Sequence, residues 1–388
     1  MFCTVIDNYG DIGVTWRLAR QLAQEHGIPV RLWVDDLAAF RHIRPEIDPA
    51  LDTQHLAGVE IRRWTSPLAA AKPGEVVIEA LACNLPDEFV ARMAAGIGAD
   101  SPPPVWLNLE YLSAEDWVAG VHGLPSPHPR LPLNKYFFMP GYTDQTGGLT
   151  RETWLSAERD VYQAEVKRAR HSRQAPAAAS AQGLSVSPGD IPADTLLVSL
   201  FSYENQALSS LLQAWASGDQ AVHAMVPLGK SLPEIAAWFG EPAPTPGQVW
   251  QRGALTLQVL PMLDQDAYDC LLWACDVNFV RGEDSFVRAQ FAARPLVWQA
   301  YVQDDDAHLA KLDAFLDRYC TELEAPLATL TRTFWRAWNE QSDLGALWPQ
   351  LRAALPALNA HARAWDTELA AQTDLATNLL TFCRKWLK

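Results

Sequence analysis

No run of about 18 consecutive apolar residues occurs in the 388-residue sequence, which excludes a membrane-spanning helix. Positive charge is also scarce. Lys and Arg number 31 against 46 Asp and Glu, a formal net charge of −15, so the basic surface that nucleic-acid binding needs is not expected. An acidic field favours instead a partner with a cationic group. The six cysteines form no Cys-x-x-Cys pair and no zinc spacing, and the sequence holds no His-Glu-x-x-His run. Buried, reduced thiols in a cytoplasmic protein are the expectation, with no metal. Met1-Phe-Cys-Thr-Val-Ile6 lacks the basic start of a secretory signal and reads as a first strand.

What is present is apolar material enough for two cores: 49% of residues are hydrophobic, in a chain of two-domain length. Phe2–Ile6, the polar turn Asp7-Asn-Tyr-Gly-Asp-Ile-Gly13, an amphipathic helix over Val14–Glu25 and a strand over Pro29–Val34 make one strand–helix–strand unit. Residues 171–192, rich in Ala, Ser, Gln, Pro and Gly, read as a linker, with a charged helix before it. The pattern then restarts, with strands at Thr195–Leu200, Ala221–Val226, Leu255–Val259, Val277–Val280 and Pro295–Trp298. From Ala307 onward only helices are expected, including separate ones over Gly345–Ala357 and Ala360–Lys388. The resulting organisation is α/β: domains at 1–155 and 193–359, joined by a helix and linker over 156–192, with a C-terminal helix over about 360–388 returning to the first domain.

Two turns carry candidate chemistry. Asp7 and Asp11 both stand in the turn after the first strand, where open α/β sheets bind ligands. Its glycines do not form G-x-G-x-x-G, so no dinucleotide fingerprint is present. Helix capping by Asp11 and an Asx-turn at Asp7 explain the pair structurally. Crowded acids at a strand's carboxyl end point equally to a general base or a seat for a cation. The second turn, Arg281-Gly-Glu-Asp-Ser285, follows a buried strand and opens a helix, a setting in which N–H groups bind phosphate. One cap explains one of its polar residues and not all of them. Ser285 lacks a G-x-S-x-G setting, and Gly229-Lys-Ser231 is not a P-loop because Ala224 stands where its first glycine belongs. Phe201, Tyr203 and Tyr268 read as core aromatics or as ligand-facing rings.

The ordered set Asp7-Asn-Tyr-Gly-Asp-Ile-Gly13, Leu32-Trp-Val-Asp-Asp36, Val77-Ile-Glu-Ala80, Trp106-Leu-Asn-Leu-Glu-Tyr-Leu112, Pro140-Gly-Tyr-Thr143, Thr146-Gly-Gly148, Phe201-Ser-Tyr203 and Arg281–Gln290 spans nearly the whole chain. It resembles the bacterial protein-arginine rhamnosyltransferases that mature elongation factor P. The resemblance implies a GT-B glycosyltransferase fold: two Rossmann-like domains facing a central cleft, with a helical C-terminal tail. It implies transfer of L-rhamnose from dTDP-β-L-rhamnose to an arginine of elongation factor P, with inversion and without a metal or other cofactor. Carried over, Asp11, Asp7, Glu283 and Asp284 become the catalytic acids, with Asp11 as base. Asn8, Tyr9, Gly10, Phe201, Tyr203, Gln265, Tyr268, Arg281 and Ser285 become substrate-binding residues. Met262 departs from the aromatic residue expected to line the thymine pocket. The rival readings are a nucleotide-sugar epimerase or small-molecule glycosyltransferase on this fold, and a non-catalytic nucleotide-sugar sensor.

Overall fold

The computed structural model describes residues 1–6, 9–65, 68, 71–97, 102–172, 191–242 and 244–387. Asp7, Asn8 and most of the expected linker, 173–190, lie outside the described residues. The chain divides into two compact units, Met1–Thr153 with Ala371–Lys388, and Trp154–Ala370.

In the first unit the elements run β1 (Phe2–Cys3), α1 (Gly10–Gln24), β2 (Val30–Val34), α2 (Leu37–Ile43), β3 (Thr53–Leu56), β4 (Val59–Arg63), β5 (Val76–Ala80), α3 (Asp87–Ala95), β6 (Val105–Leu109), α4 (Trp117–Val121), β7 (Pro125–Pro127) and β8 (Asn134–Phe138). The sheet order is β3-β4-β2-β1-β5-β6-β8-β7, parallel except for β3 and β7 at the two edges. From β1 the chain builds outward through β2 and β4, then returns beside β1 and builds the other way through β5, β6 and β8. The order therefore reverses between β1 and β5. Strands buried on both faces favour apolar side chains on both, and β6, Val-Trp-Leu-Asn-Leu, is buried throughout, with Asn108 its single polar residue, hydrogen-bonded to Glu110.

The second unit opens with α5 (Leu155–Ser172), followed by β9 (Leu196–Leu200), α6 (Leu208–Ser217), β10 (Val222–Pro227), α7 (Leu232–Phe239), β11 (Val249–Arg252), β12 (Leu255–Leu260), α8 (Gln265–Ala274), β13 (Val277–Arg281), α9 (Asp284–Phe291) and β14 (Leu296–Gln299). Helices α10 (Ala307–Tyr319), α11 (Ala325–Asn339) and α12 (Trp348–Ala371) complete it, and α13 (Leu375–Arg384) belongs to the first unit. The sheet order β11-β12-β10-β9-β13-β14 reverses between β9 and β13. Helix α5 is part of this unit's core: Tyr162 meets Trp273 of α8 edge-on at 5.8 Å. Arg159 of α5, nearly buried, pairs with Asp366 of α12 at 2.6 Å and donates to the Phe291 carbonyl at 2.8 Å.

The expected break near residue 358 does not occur, since α12 continues through Pro356. The ring deletes one helical hydrogen bond, but it sits on the exposed side. Leu351, Leu358, Ala362, Trp365 and Leu369 keep a buried stripe across it, at steps of seven, four, three and four residues. Helix α13 then closes the first unit's core, with Leu375, Ala376, Leu379 and Cys383 buried among Trp16, Leu18 and Phe138. The Thr146-Gly-Gly148 turn makes room for this return. Gly148 has φ +79°, and a Cβ there would lie 2.4 Å from the Thr373 carbonyl oxygen. All six cysteines are free and buried.

Candidate active site

In the first unit the residues after β1, β5 and β6 converge at the carboxyl edge of the sheet, at its point of order reversal. Helix α1 starts at Gly10, four residues earlier than the sequence pattern suggests, with Tyr9 at the cap position. Asp11 is therefore not the N-cap. It lies inside the first turn and its carboxylate points back to the strand connection, where Oδ2 accepts the Ile6 N–H at 2.8 Å. From the far side, the Tyr111 hydroxyl donates to Asp11 Oδ1 at 2.9 Å and also reaches the Leu81 carbonyl at 3.3 Å. Asp11 is buried, with both carboxylate oxygens held by these donors. Leu81 and Ala82 both hold left-handed backbone, φ +56° and +60°. Two successive side-chain-bearing residues there store strain, a feature that clusters at functional sites. Tyr9 rests edge-on against His42 at 5.5 Å.

In the second unit the strand ends flanking the reversal point carry the aromatic and basic residues. Phe201 and Tyr203 follow β9, and Arg281 ends β13. Hydrogen-bonded neighbours in a parallel sheet lie about 4.8 Å apart, so the three side chains meet. The Arg281 guanidinium sits 4.5 Å from the Phe201 ring centre and 4.4 Å from that of Tyr203. Arg281 is buried, and among the described residues no carboxylate pairs with it. Its charge is held by two π-faces, which leaves its N–H groups for an anion.

The turn after β13 is shaped by its own backbone. Gly282 takes φ +64°, and its carbonyl accepts the Trp298 indole N–H at 2.8 Å. Glu283 occupies the cap position of α9 without a side-chain cap bond and is only partly buried. Ser285 does not cap the helix. Its hydroxyl turns back to Arg281, donating to the carbonyl and accepting the N–H at 3.2 Å. Gln265 Nε2 donates to Asp284 Oδ2 at 3.0 Å, so the start of α8 fixes the start of α9. Tyr268, buried beneath, meets Phe201 edge-on at 5.6 Å. Burial pushes its phenol well above the ordinary range, with Ser285 and Arg281 opposing.

Of the residues singled out in the sequence, Arg281, Phe201, Tyr203, Tyr268, Ser285, Gln265 and Asp284 form one connected cluster, with Glu283 at its margin. Asp11 forms the first-unit cluster, beside Tyr9 and Gly10. Asp7 and Asn8 lie outside the described residues. Met262 is partly buried in the connection from β12 to α8. Three residues with no assigned role prove to belong. Tyr111 anchors Asp11. Gln299 accepts the Tyr203 N–H at 2.9 Å and fixes that loop. Lys230 lies 6.0 Å from the Tyr203 ring, and a Cβ on the adjacent Gly229 would lie 3.2 Å from the Phe201 ring, a tight contact. The rejected P-loop mimic thus adjoins the site by another route, visible only once β10 is placed next to β9. Among the described residues no group of three or more His, Cys, Asp or Glu side chains is placed to hold a metal ion, and no helix is long and apolar enough to cross a membrane.

Two doubly wound α/β units, each carrying its candidate residues at the sheet's reversal point, with a helical C-terminal segment, give this chain the architecture of the GT-B glycosyltransferase fold. The particular family follows from comparison with known proteins. The profile of the family described as elongation factor P (EF-P) rhamnosyltransferase EarP matches residues 1–384, and the chain belongs to that family. Protein-arginine rhamnosyltransferases of Pseudomonas putida and Pseudomonas aeruginosa are 50% and 47% identical to it, each over 100% of this chain and 98% or 99% of their own. That of Neisseria meningitidis serogroup B is 34% identical over 82% of this chain and 78% of its own. A solved structure described as the basis for EarP-mediated arginine glycosylation of translation elongation factor EF-P superposes with TM-score 0.68 at 38% identity. The match covers 99% of this chain and 98% of the other.

Proposed function

We propose that this enzyme transfers L-rhamnose from dTDP-β-L-rhamnose to an arginine side chain of EF-P in one inverting displacement. The observation that carries the reading is the Arg281 guanidinium, buried between Phe201 and Tyr203 without a carboxylate partner at the reversal point of the second sheet, in a chain of this family. A diphosphate leaving group gathers negative charge as the glycosidic C–O bond breaks. Arg281 and the amino end of α9 are placed to receive it. Phe201, braced by Tyr268, and Tyr203, fixed by Gln299, hold Arg281 and offer rings to the nucleotide.

The acceptor chemistry requires a base. A guanidinium has a pKa above about 12 and is a poor nucleophile while all its nitrogens are protonated or delocalised. A carboxylate that binds it, orients one nitrogen and takes its proton as the new C–N bond forms resolves the difficulty. Asp11 is assigned that role, its carboxylate aimed by Tyr111 and the Ile6 N–H. Asp7 and Glu283 are assigned to pin the cationic acceptor. Asp284, tied to Gln265, holds the turn in which Glu283 stands, and Asn8, Tyr9 and Gly10 are assigned to substrate binding. No metal or organic cofactor enters this scheme. The protein's excess of acid suits a cationic acceptor side chain.

The test is incubation with dTDP-rhamnose and EF-P, followed by peptide fragmentation and NMR of the product. The reading expects one deoxyhexose on one arginine, in the anomeric configuration opposite to the donor. Retained configuration, or hydrolysis and epimerisation of the donor with EF-P untouched, would overturn it.

A further inference from the structure

The second unit carries another cationic cavity, at the opposite edge of its sheet from Arg281. It has a volume of about 540 Å³ and lies among α5, α12 and the residues that enter β13 and β14. Its wall includes Lys167 and Arg170 of α5, Arg294 just before β14, and Arg363 of α12. A second cavity of about 490 Å³ shares Arg170, Asp276, Arg294 and Asn359 with it.

The acids in the wall are already occupied. Asp276 pairs with Arg170 at 3.2 Å and accepts the Leu197 N–H at 2.9 Å, while Asp160 pairs with Arg159 at 2.8 Å. Arg170 is further committed to the backbone carbonyls of residues 192, 193 and 195. That leaves Lys167, Arg294 and Arg363. Among the described residues none of the three makes an ion pair, and the buried Arg294 Nε has no hydrogen-bond partner. The Asn359 side-chain oxygen is likewise buried without one. Burial lowers the Arg294 pKa from its usual value, and Arg363 and Arg170 push it the same way against Asp276. Three cations crowded around a half-open cavity repel one another until an anion enters.

We infer that this cavity is a binding site for a small phosphate-bearing anion, held by Lys167, Arg294 and Arg363. Three cations without an ion-pair partner among the described residues, one a half-buried guanidinium with its Nε buried, match a multiply charged phosphate better than a single carboxylate. The site is distinct from the Arg281 cluster, because Asp276 precedes β13 and Arg281 ends it. Five strand residues place the two roughly 13 Å or more apart.

Isothermal titration of the full-length protein with inorganic pyrophosphate at low ionic strength tests this, using Arg281→Gln to silence the first cluster. Lys167 and Arg363 are exposed, so Lys167→Gln and Arg363→Gln leave the fold intact, which thermal melting checks. The expected result is that Arg281→Gln retains one pyrophosphate site, and that adding both substitutions weakens it by roughly tenfold or more. Complete loss of pyrophosphate binding in Arg281→Gln alone, or unchanged affinity in the triple variant, overturns the inference.

Discussion

The Tyr111 hydroxyl donates to Asp11 Oδ1 at 2.9 Å, joining residues 100 positions apart at the carboxyl ends of two strands of one sheet. The bond fixes where the carboxylate points. It makes Tyr111 a positioning residue for the proposed base. Tyr111→Phe keeps the ring and removes the donor. A hydrogen bond to a charged acceptor contributes about 1.5–3 kcal/mol, so kcat is expected to fall roughly ten- to a hundredfold. The KM for dTDP-rhamnose and the melting temperature should stay near wild type. Steady-state kinetics distinguish this from a purely structural role, which would lower stability and leave kcat intact.

Arg281 should govern the diphosphate. Arg281→Lys retains charge but loses the planar group that lies between Phe201 and Tyr203. The dissociation constant for dTDP-rhamnose is expected to rise roughly ten- to a hundredfold, while that for thymidine changes little. Calorimetry on both ligands separates loss of the phosphate contact from collapse of the whole pocket.

A buried ion pair braces the same region from below. Arg288 of α9 meets Asp269 of α8 at 2.7 Å, with both side chains almost wholly buried. Arg288→Met leaves Asp269 without this partner in the core, and such losses cost about 3–5 kcal/mol. Urea denaturation should show that destabilisation. Replacing both residues by apolar ones of similar volume should recover much of it.

Much of the alternation was legible because buried parallel strands leave a plain mark. Thr195–Leu200 and Val277–Val280 are mostly apolar runs without regular polar alternation, and the structure places Leu196–Leu200 and Val277–Arg281 as fully buried strands. Thr53–Leu56 and Val59–Arg63 were not legible. The first is a polar edge strand, and its hairpin is identified only by pairing with β2. The helix break expected between Ala357 and Ala360 is absent, since α12 runs on with its buried stripe intact. The site was legible in its residue types at Asp11 and Arg281 and illegible in its partners. Tyr111, Gln299 and Lys230 reach the site through strand neighbours far away in sequence.

Acid should destabilise the fold before the carboxylates titrate. Burial lowers the pKa values of His122, His223 and His361. The unfolded chain then binds protons, near the ordinary value of about 6.5, that the folded chain refuses. Stability is therefore full above about pH 7 and declines as pH falls through 6.5 toward the lowered folded-state values. Melting temperatures measured between pH 7.5 and 6 should fall, and His223→Gln should flatten the slope.

The most direct test of the account compares wild type with Asp11→Asn, each incubated with dTDP-rhamnose and EF-P, by intact mass of EF-P alongside calorimetric binding of the donor. The account predicts one added deoxyhexose with wild type, and none with Asp11→Asn despite donor binding of ordinary strength. Normal modification of EF-P by Asp11→Asn would contradict it.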